Sequence, residues 1–535
     1  MAGRQERDRV RLPSGSVGGV PRVPTTVSGR PEENAVTQPR ELLRGSVSAI
    51  REWFAAAAAQ SERTILLGTI LVASAISIVT GLVLARYYSV DVTSSLIIFV
   101  PNDCYVDWGL NVGRHCFSDY AITVSLGMRP NPWEPYPLYL PPDFKPISSN
   151  YLAAGMVPQV IFGFLGKWLG APRLGLLCYL LALTIAVFTP AGWAARGAKG
   201  LERVVVFVTC GVAAIPVWVA IDRGNLVGFL APIALVFLVA LCRRRWGLVT
   251  CMVILAALVK PQFAVLAVAL FVARQWRWSG IAAAGVAISN IAAYALWPRD
   301  FPETITQSIR ATLGYGGGSL FPAVAANSNV SFGKGLHAIP DAIKAAATGG
   351  KIPDGFLAGP RSLIGYAVLV LVVVALLGLG PRIPPVMAGI VLLATASLFP
   401  ALSNPYYLVF VLPIAALVIR DPDGPPGTGI FDRLASFGDP RRAVGMCVSL
   451  AAALCIAQIA LPGPTTQVGD TVGPLAADAK ATVVTSTVFL APLLWLVACA
   501  AIIVSYARRS APQDTGVSDP AVSRPIAQFS PQRPA

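Results

Sequence analysis

Charged side chains are scarce in this chain. Asp, Glu, Lys and Arg make up 13% of its 535 residues, against 55% hydrophobic residues, and the mean hydropathy is +0.64. So few charges cannot cover the surface of a soluble protein of this length, which argues against a water-soluble fold. Histidine is nearly missing: only His115 and His337 occur, which excludes chemistry built on a histidine cluster. Cysteine offers no zinc site, since Cys178, Cys210, Cys242, Cys251, Cys447, Cys455 and Cys499 lie in or at the ends of apolar runs and none has ligand spacing. Acidic residues are outnumbered 27 to 42, giving a net charge of +15. The excess sits in short loops such as Arg243-Arg244-Arg245, where membrane topology accounts for it better than nucleic acid does.

What the chain has instead is a succession of apolar runs, near 64–86, 151–170, 173–193, 203–221, 225–242, 247–259, 262–273, 279–297, 363–380, 383–400, 405–420, 443–461 and 486–506. They predict an all-α polytopic membrane protein. Residues 1–63 are rich in Arg, Pro, Ser and Gly, carry ten Arg against seven acids and lack apolar periodicity, which predicts a disordered cytoplasmic tail. Residues 507–535 read the same way, leaving 64–506 as the transmembrane domain. The first apolar run is of spanning rather than leader length. Basic clusters at Arg196/Lys199/Arg203, Arg243 to Arg245, Arg274/Arg277, Arg382, Arg441/Arg442 and Arg508/Arg509 should face the cytoplasm. Thirteen crossings would put the two tails on opposite sides. If 151–170, with Pro158 and interior glycines, enters from outside and returns, about 12 transmembrane helices remain. Both tails are then cytoplasmic in a multi-pass cell-membrane protein, and the loops 87–150, 298–362 and 462–485 lie outside.

The runs 247–259 and 262–273 are short for spans. Thirteen residues rise about 20 Å as helix against roughly 30 Å of hydrocarbon, so the turn Lys260-Pro261-Gln262 is expected roughly 10 Å below the outer interface. An ammonium at that depth is costly unless it faces a polar cavity or an anionic partner.

The first outer loop contains Asp103, Tyr105, Asp107 and Trp108, then Asp119-Tyr120 and the rigid run Pro132-Trp133-Glu134-Pro135-Tyr136-Pro137. Carboxylates hold hydroxyls while aromatic faces stack on a sugar ring, so this loop suits a sugar; a solvated acidic loop with interfacial aromatics would look similar. Asp222-Arg223-Gly224-Asn225 is a polar turn that the topology puts on the same side as Lys260 and the first loop. Basic residues there could grip a phosphate and a carboxylate could take a proton. In the second loop Tyr315-Gly316-Gly317-Gly318 matches no phosphate-binding pattern, Asn329-Val330-Ser331 fits a common glycosylation sequon, and His337 reads more readily as a loop histidine than a catalytic one. Cys104 and Cys116 stand where a disulfide could close the acidic loop.

The order of these elements resembles glycosyltransferase family 87 of the C-type glycosyltransferase superfamily, polytopic enzymes of actinobacterial envelopes. The resemblance covers about 95–420. Asp103, Tyr105, Tyr120 and Tyr136-Pro137 stand where the family has an outer-loop Asp, a Tyr-containing helix and a Pro/Tyr-rich stretch. Gly224-Asn225, Arg243 to Arg245 and Lys260-Pro261 match its turn, basic inner loop and Lys-Pro helix end. Asn329-Val330-Ser331 is similar to its Asn-Gln-Ser element, and Ser403-Asn404-Pro405-Tyr406-Tyr407 to its later polar-aromatic run. Pro141-Pro142-Asp143-Phe144-Lys145-Pro146 departs from the usual pattern.

The resemblance implies a C-type glycosyltransferase-like bundle with a re-entrant or in-plane segment and two large outer loops. It also implies inverting transfer of a sugar, mannose before arabinofuranose, from a polyprenyl-phosphate donor to a glycolipid or lipid-linked glycan outside the membrane. Asp103, or Asp107 four residues on, would be the general base, with Lys260 and Arg223 on the donor phosphate. Asp222, Asn225, Tyr105, Trp108, Tyr120, Asn329, Ser331 and His337 would contact substrates. No metal or other cofactor is expected, and the partners are the two lipid substrates and membrane lipids, not nucleic acid. A transporter or lipid flippase is the competing class, although no internal repeat relates the halves.

Overall fold

The structure, a computed structural model, describes residues 60–89, 92–97, 117–140, 145–314, 329–340, 343, 360–436, 442–467 and 480–508. Residues 1–59 and 509–535 of the two tails and the first-loop residues Asp103, Cys104, Tyr105, Asp107, Trp108 and Cys116 lie outside the described residues, whereas Glu62 and Arg63 at the end of the N-terminal tail already belong to the first helix.

Every apolar run folds as helix. The helices that organise the molecule are α1 (Glu62–Tyr88), α2 (Ser118–Gly127), α3 (Ala153–Trp168), α4 (Pro172–Ala195), α5 (Ile215–Arg223), α6 (Leu230–Cys242) and α7 (Trp246–Val259). They are followed by α8 (Trp276–Ala293), α9 (Pro360–Leu379), α10 (Pro385–Leu398), α11 (Val411–Ile419), α12 (Arg442–Ile456) and α13 (Ala491–Ala507). Helix α1 starts where the Ser61 hydroxyl accepts the Thr64 amide, and its 27 residues rise about 40 Å. Leu71, Ile78 and Leu82 on it are half or more exposed, as only a lipid-facing helix tolerates. Five helices are long and apolar enough to cross a bilayer, Glu62–Tyr88, Pro172–Ala195, Trp276–Leu296, Ser362–Arg382 and Thr487–Ala507. A sixth span forms if Gly200–Val212 and Ile215–Arg223, bent by 45°, count as one. The chain is thus a helical membrane protein.

The other apolar runs are shorter than the sequence predicts for spans, and their placement gives the reason. Residues 386–398 of α10 and all nine of α11 are buried, and α11 packs on α4, α6 and α12. Helices enclosed by other helices need not match the hydrocarbon thickness, because protein rather than lipid meets their ends. The bend before α5 has a local cause. Pro216 cannot donate to the Val212 carbonyl one turn back, and the Trp218 indole N–H takes that acceptor at 2.7 Å.

Two short ribbons accompany the helices. Tyr136–Leu140 (β1) pairs antiparallel with Lys145–Ile147 (β2), and Ala460–Gln467 (β3) with Lys480–Ser486 (β4). The β-branched run Thr482-Val483-Val484-Thr485 favours extended backbone, and the ladder slips between Pro462 and Thr465, where prolines cannot donate.

One end of the bundle is clipped by ion pairs that join the predicted basic clusters. Arg442 donates to Glu62 at 3.0 Å, Arg63 pairs with Glu202 at 2.5 Å, and Arg420 donates to the Trp193 carbonyl at 2.8 Å. Arg243 and Arg433 grip the two oxygens of Asp423 at 2.8 and 2.9 Å.

Candidate functional site

Helix α5 ends because Gly224 turns left-handed, φ +60°. The Gly224 amide reaches the Ile221 carbonyl, and the Asn225 amide reaches back to Ala220. Asn225, fully buried, then caps the next turn by accepting the Val227 amide at 2.9 Å. This turn presents two donors to one carboxylate, that of Asp119 in the first turn of α2. The Arg223 Nη2 and Nε lie 2.9 and 3.3 Å from its two oxygens, and Asn225 Nδ2 lies 2.8 Å from Oδ2. The pair is largely buried, with side-chain exposures of 13% and 15%. A bidentate guanidinium fixes the plane of the carboxylate as well as its place.

The same turn is locked from below. Gln159 of α3, itself fully buried, donates 2.9 Å to the Gly224 carbonyl, and the Tyr179 hydroxyl of α4 donates to the same oxygen at 3.0 Å. Tyr120 stacks on Tyr179 at 4.8 Å between centroids and presses against Gly224, where a Cβ would stand 2.9 Å from the Tyr120 Cβ. Gly224→Ala combines that collision with a left-handed backbone, and is expected to cost about 2 kcal/mol, visible as a lower midpoint in thermal unfolding. An unchanged midpoint would mean that Tyr120 moves aside freely.

Lys260 completes the cluster. It caps the C-terminus of α7, turning extended into the 3₁₀ stretch Pro261–Ala267, and its Nζ lies 3.7 Å from the centroid of the Tyr151 ring. The Tyr151 hydroxyl in turn lies 3.5 Å from Asn225 Nδ2. Burial pushes the Asp119 carboxyl up to about 6, the Asn225 hydrogen bond and the Lys260 charge pull it down, and Asp222 raises it further. Two cations, one carboxylate, an amide and a phenol thus meet at one end of an apolar bundle. Such a group can bind a phosphate through the cations and hold a proton on the carboxylate.

No protein-family model matches this chain, and no curated protein matches it.

Of the residues the sequence singles out, Arg223, Asn225 and Lys260 converge here, Tyr120 packs beneath, and Asp222 lies within electrostatic reach of Asp119. Asn329, Ser331 and His337 do not join them. Asn329 instead binds backbone: it donates to the Ala401 carbonyl at 2.8 Å and accepts the Ser331 and Ser403 amides at 3.0 Å each. The Ser331 hydroxyl caps Phe332–Leu336 by accepting the Lys334 amide, and half-buried His337 ends that turn. The clip still bears on the site through packing. Gln262, next to Pro261, donates to the Ala396 carbonyl of α10 at 2.7 Å, the turn after α10 is the one Asn329 grips, and the following Pro405–Phe410 packs on α5. Asn329→Ala strands two buried amides and is expected to cost about 2–4 kcal/mol, with faster proteolysis within 329–337, whereas a loss under 1 kcal/mol would mean water replaces the side chain.

The sequence offers Asp119 only as one more carboxylate of the first loop, without a role, and does not single out Tyr151 or Gln159. A carboxylate opening the apolar helix α2 and a glutamine inside the apolar run 151–170 are signals of the kind that mark buried polar sites.

Proposed function

We propose that this protein is a membrane glycosyltransferase that moves a sugar from a polyprenyl-phosphate donor to the hydroxyl of a glycolipid or lipid-linked glycan. The observation that carries the reading is the buried cluster of Asp119, Arg223, Asn225 and Lys260 beside a helical hairpin whose arms are short for spans. A polyprenyl phosphate needs a cation below the membrane surface, because its tail keeps the phosphate close to the hydrocarbon. Lys260, held over Tyr151 at the turn of that hairpin, suits this task. The order of elements that resembles glycosyltransferase family 87 adds support, and mannose is proposed ahead of arabinofuranose because mannosyl transfer is prominent in that family.

In this reaction the acceptor oxygen attacks the anomeric carbon, the bond from that carbon to the phosphate oxygen breaks, and the acceptor proton passes to a carboxylate. Prenyl phosphate leaves with inverted configuration at the sugar. Asp119 is the carboxylate among the described residues that stands beside both cations, so we assign it the base role, with Asp103 and Asp107 as its competitors. Phosphate arriving at Lys260 competes with Asp119 for the Arg223 guanidinium. Transfer of Arg223 to the phosphate stabilises the growing negative charge and frees the carboxylate for the proton. In this proposal the site faces outside, in a bundle of about twelve spans with both tails cytoplasmic and 151–170, a single continuous helix over Ala153–Trp168, not crossing.

The test is transfer of radiolabelled sugar by the purified full-length protein, from prenyl-phosphate mannose and separately from prenyl-phosphate arabinose, into membrane glycolipids. Transfer from mannose alone is expected. Transfer from arabinose alone would keep the enzyme and change the sugar. A folded protein that transfers neither would sink the reading and favour a flippase, for which the 45° break before α5 would be the natural site.

A further inference from the structure

A second feature lies apart from this cluster. Between the end of the 261–272 hairpin arm, the start of α8 and the end of α9 opens a cleft of about 860 Å³. Phe271, Val272 and Leu377 line its apolar wall, and Arg274, Arg382 and Trp276 line its mouth. Trp276 is 66% exposed, and Leu371, Val374 and Leu377 leave the neighbouring face of α9 open to lipid. Neither the Arg274 nor the Arg382 guanidinium donates a hydrogen bond or forms an ion pair among the described residues, although those of other basic loop residues, Arg243, Arg420 and Arg433, are engaged. Arg274 also holds a left-handed backbone, φ +56°, at a helix end where glycine is the ordinary occupant.

Two guanidiniums without a partner among the described residues, an exposed tryptophan and an apolar trough line one cleft. We propose that this cleft binds an anionic phospholipid, its phosphate between Arg274 and Arg382 and its acyl chains along Phe271, Val272 and Leu377. A soluble anion would use the arginines but not the trough, and a neutral lipid the trough but not the arginines. Basic pockets between membrane helices recognise acidic headgroups in this way. The site is independent of the glycosyltransferase reading.

The experiment is native mass spectrometry of the full-length protein released from nanodiscs containing phosphatidylglycerol and phosphatidylcholine. Wild type is compared with the double variant Arg274→Gln/Arg382→Gln and with Arg277→Gln, which changes an exposed arginine in the first turn of α8 that does not line the cleft. Wild type should retain phosphatidylglycerol selectively, the double variant should lose that retention by roughly 30-fold, and Arg277→Gln should behave as wild type. All three charges are exposed, so folding is expected to survive, and a matched thermal midpoint checks it. Equal retention of the two lipids, or the same loss in Arg277→Gln, would overturn the proposal in favour of general surface charge. Displacement by millimolar inorganic phosphate would reduce the site to a free-anion site. Preferential retention of a short prenyl phosphate would reassign the cleft to the donor lipid and overturn the phospholipid assignment.

Discussion

Asp119→Asn is expected to lower sugar transfer by about 10²- to 10⁴-fold, the usual contribution of a positioned general base, while leaving the protein folded. The substitution keeps the shape of the side chain and an oxygen for Arg223 or Asn225, so the loss should fall on turnover more than on donor affinity. The measurement is initial rate in the radiolabelled transfer assay, with Asp103→Asn and Asp107→Asn as comparators. A pH profile adds a second readout. The base must be ionised to take the acceptor proton, and burial raises the Asp119 carboxyl to about 6. Activity should therefore fall as pH drops through about 6, by tenfold per unit well below it, and be flat above. Near-normal turnover in Asp119→Asn, with collapse in Asp103→Asn or Asp107→Asn, would move the base into the part of the first loop outside the described residues.

Arg223→Met is expected to destabilise the protein by about 3–5 kcal/mol, because it leaves the Asp119 carboxylate buried without its bidentate partner. Asn225 and the more distant Lys260 compensate only in part. The penalty belongs to the stranded charge rather than to lost attraction, and that distinction can be measured. Adding Asp119→Asn to Arg223→Met removes the charge, so the double variant should unfold at a higher temperature than Arg223→Met alone, in the same detergent and at the same pH. If the double variant is no more stable than the single one, the guanidinium acts through packing against its neighbours and the ion pair contributes little. The same pair of variants bears on binding, since a phosphate that recruits Arg223 away from Asp119 should bind more tightly to Asp119→Asn than to wild type.

Much of the helical layout was legible from sequence because apolar runs report burial in lipid or protein without reference to any partner. Position and type of the long apolar helices follow from that, down to the short hairpin around Lys260, whereas α2, which carries Asp119, is not among those runs. The number of crossings does not follow, since the same run of apolar residues serves a lipid-facing span such as α1 and an enclosed helix such as α11. Only packing separates them. The β3–β4 ribbon escaped notice for a related reason: pairing two strands across an intervening loop is a non-local event that prolines and glycines in the first strand obscure.

The site divides in the same way. Arg223, Asn225 and Lys260 stood out because a charged or amide residue at the edge of an apolar run carries a desolvation cost that asks for an explanation. Composition and order thus determined that this is a helical membrane protein with polar groups set at the ends of its helices. The partners of those groups were decided by the fold alone. Asp119, 104 residues before Arg223, became its partner only because α3 and α4 hold the Gly224 turn against α2 through Gln159 and Tyr179. Asn329 became a backbone clip only because Ala401 and Ser403 arrive beside it. A buried carboxylate or amide must be satisfied by some donor or acceptor, but its identity depends on which distant backbone the packing brings within 3 Å.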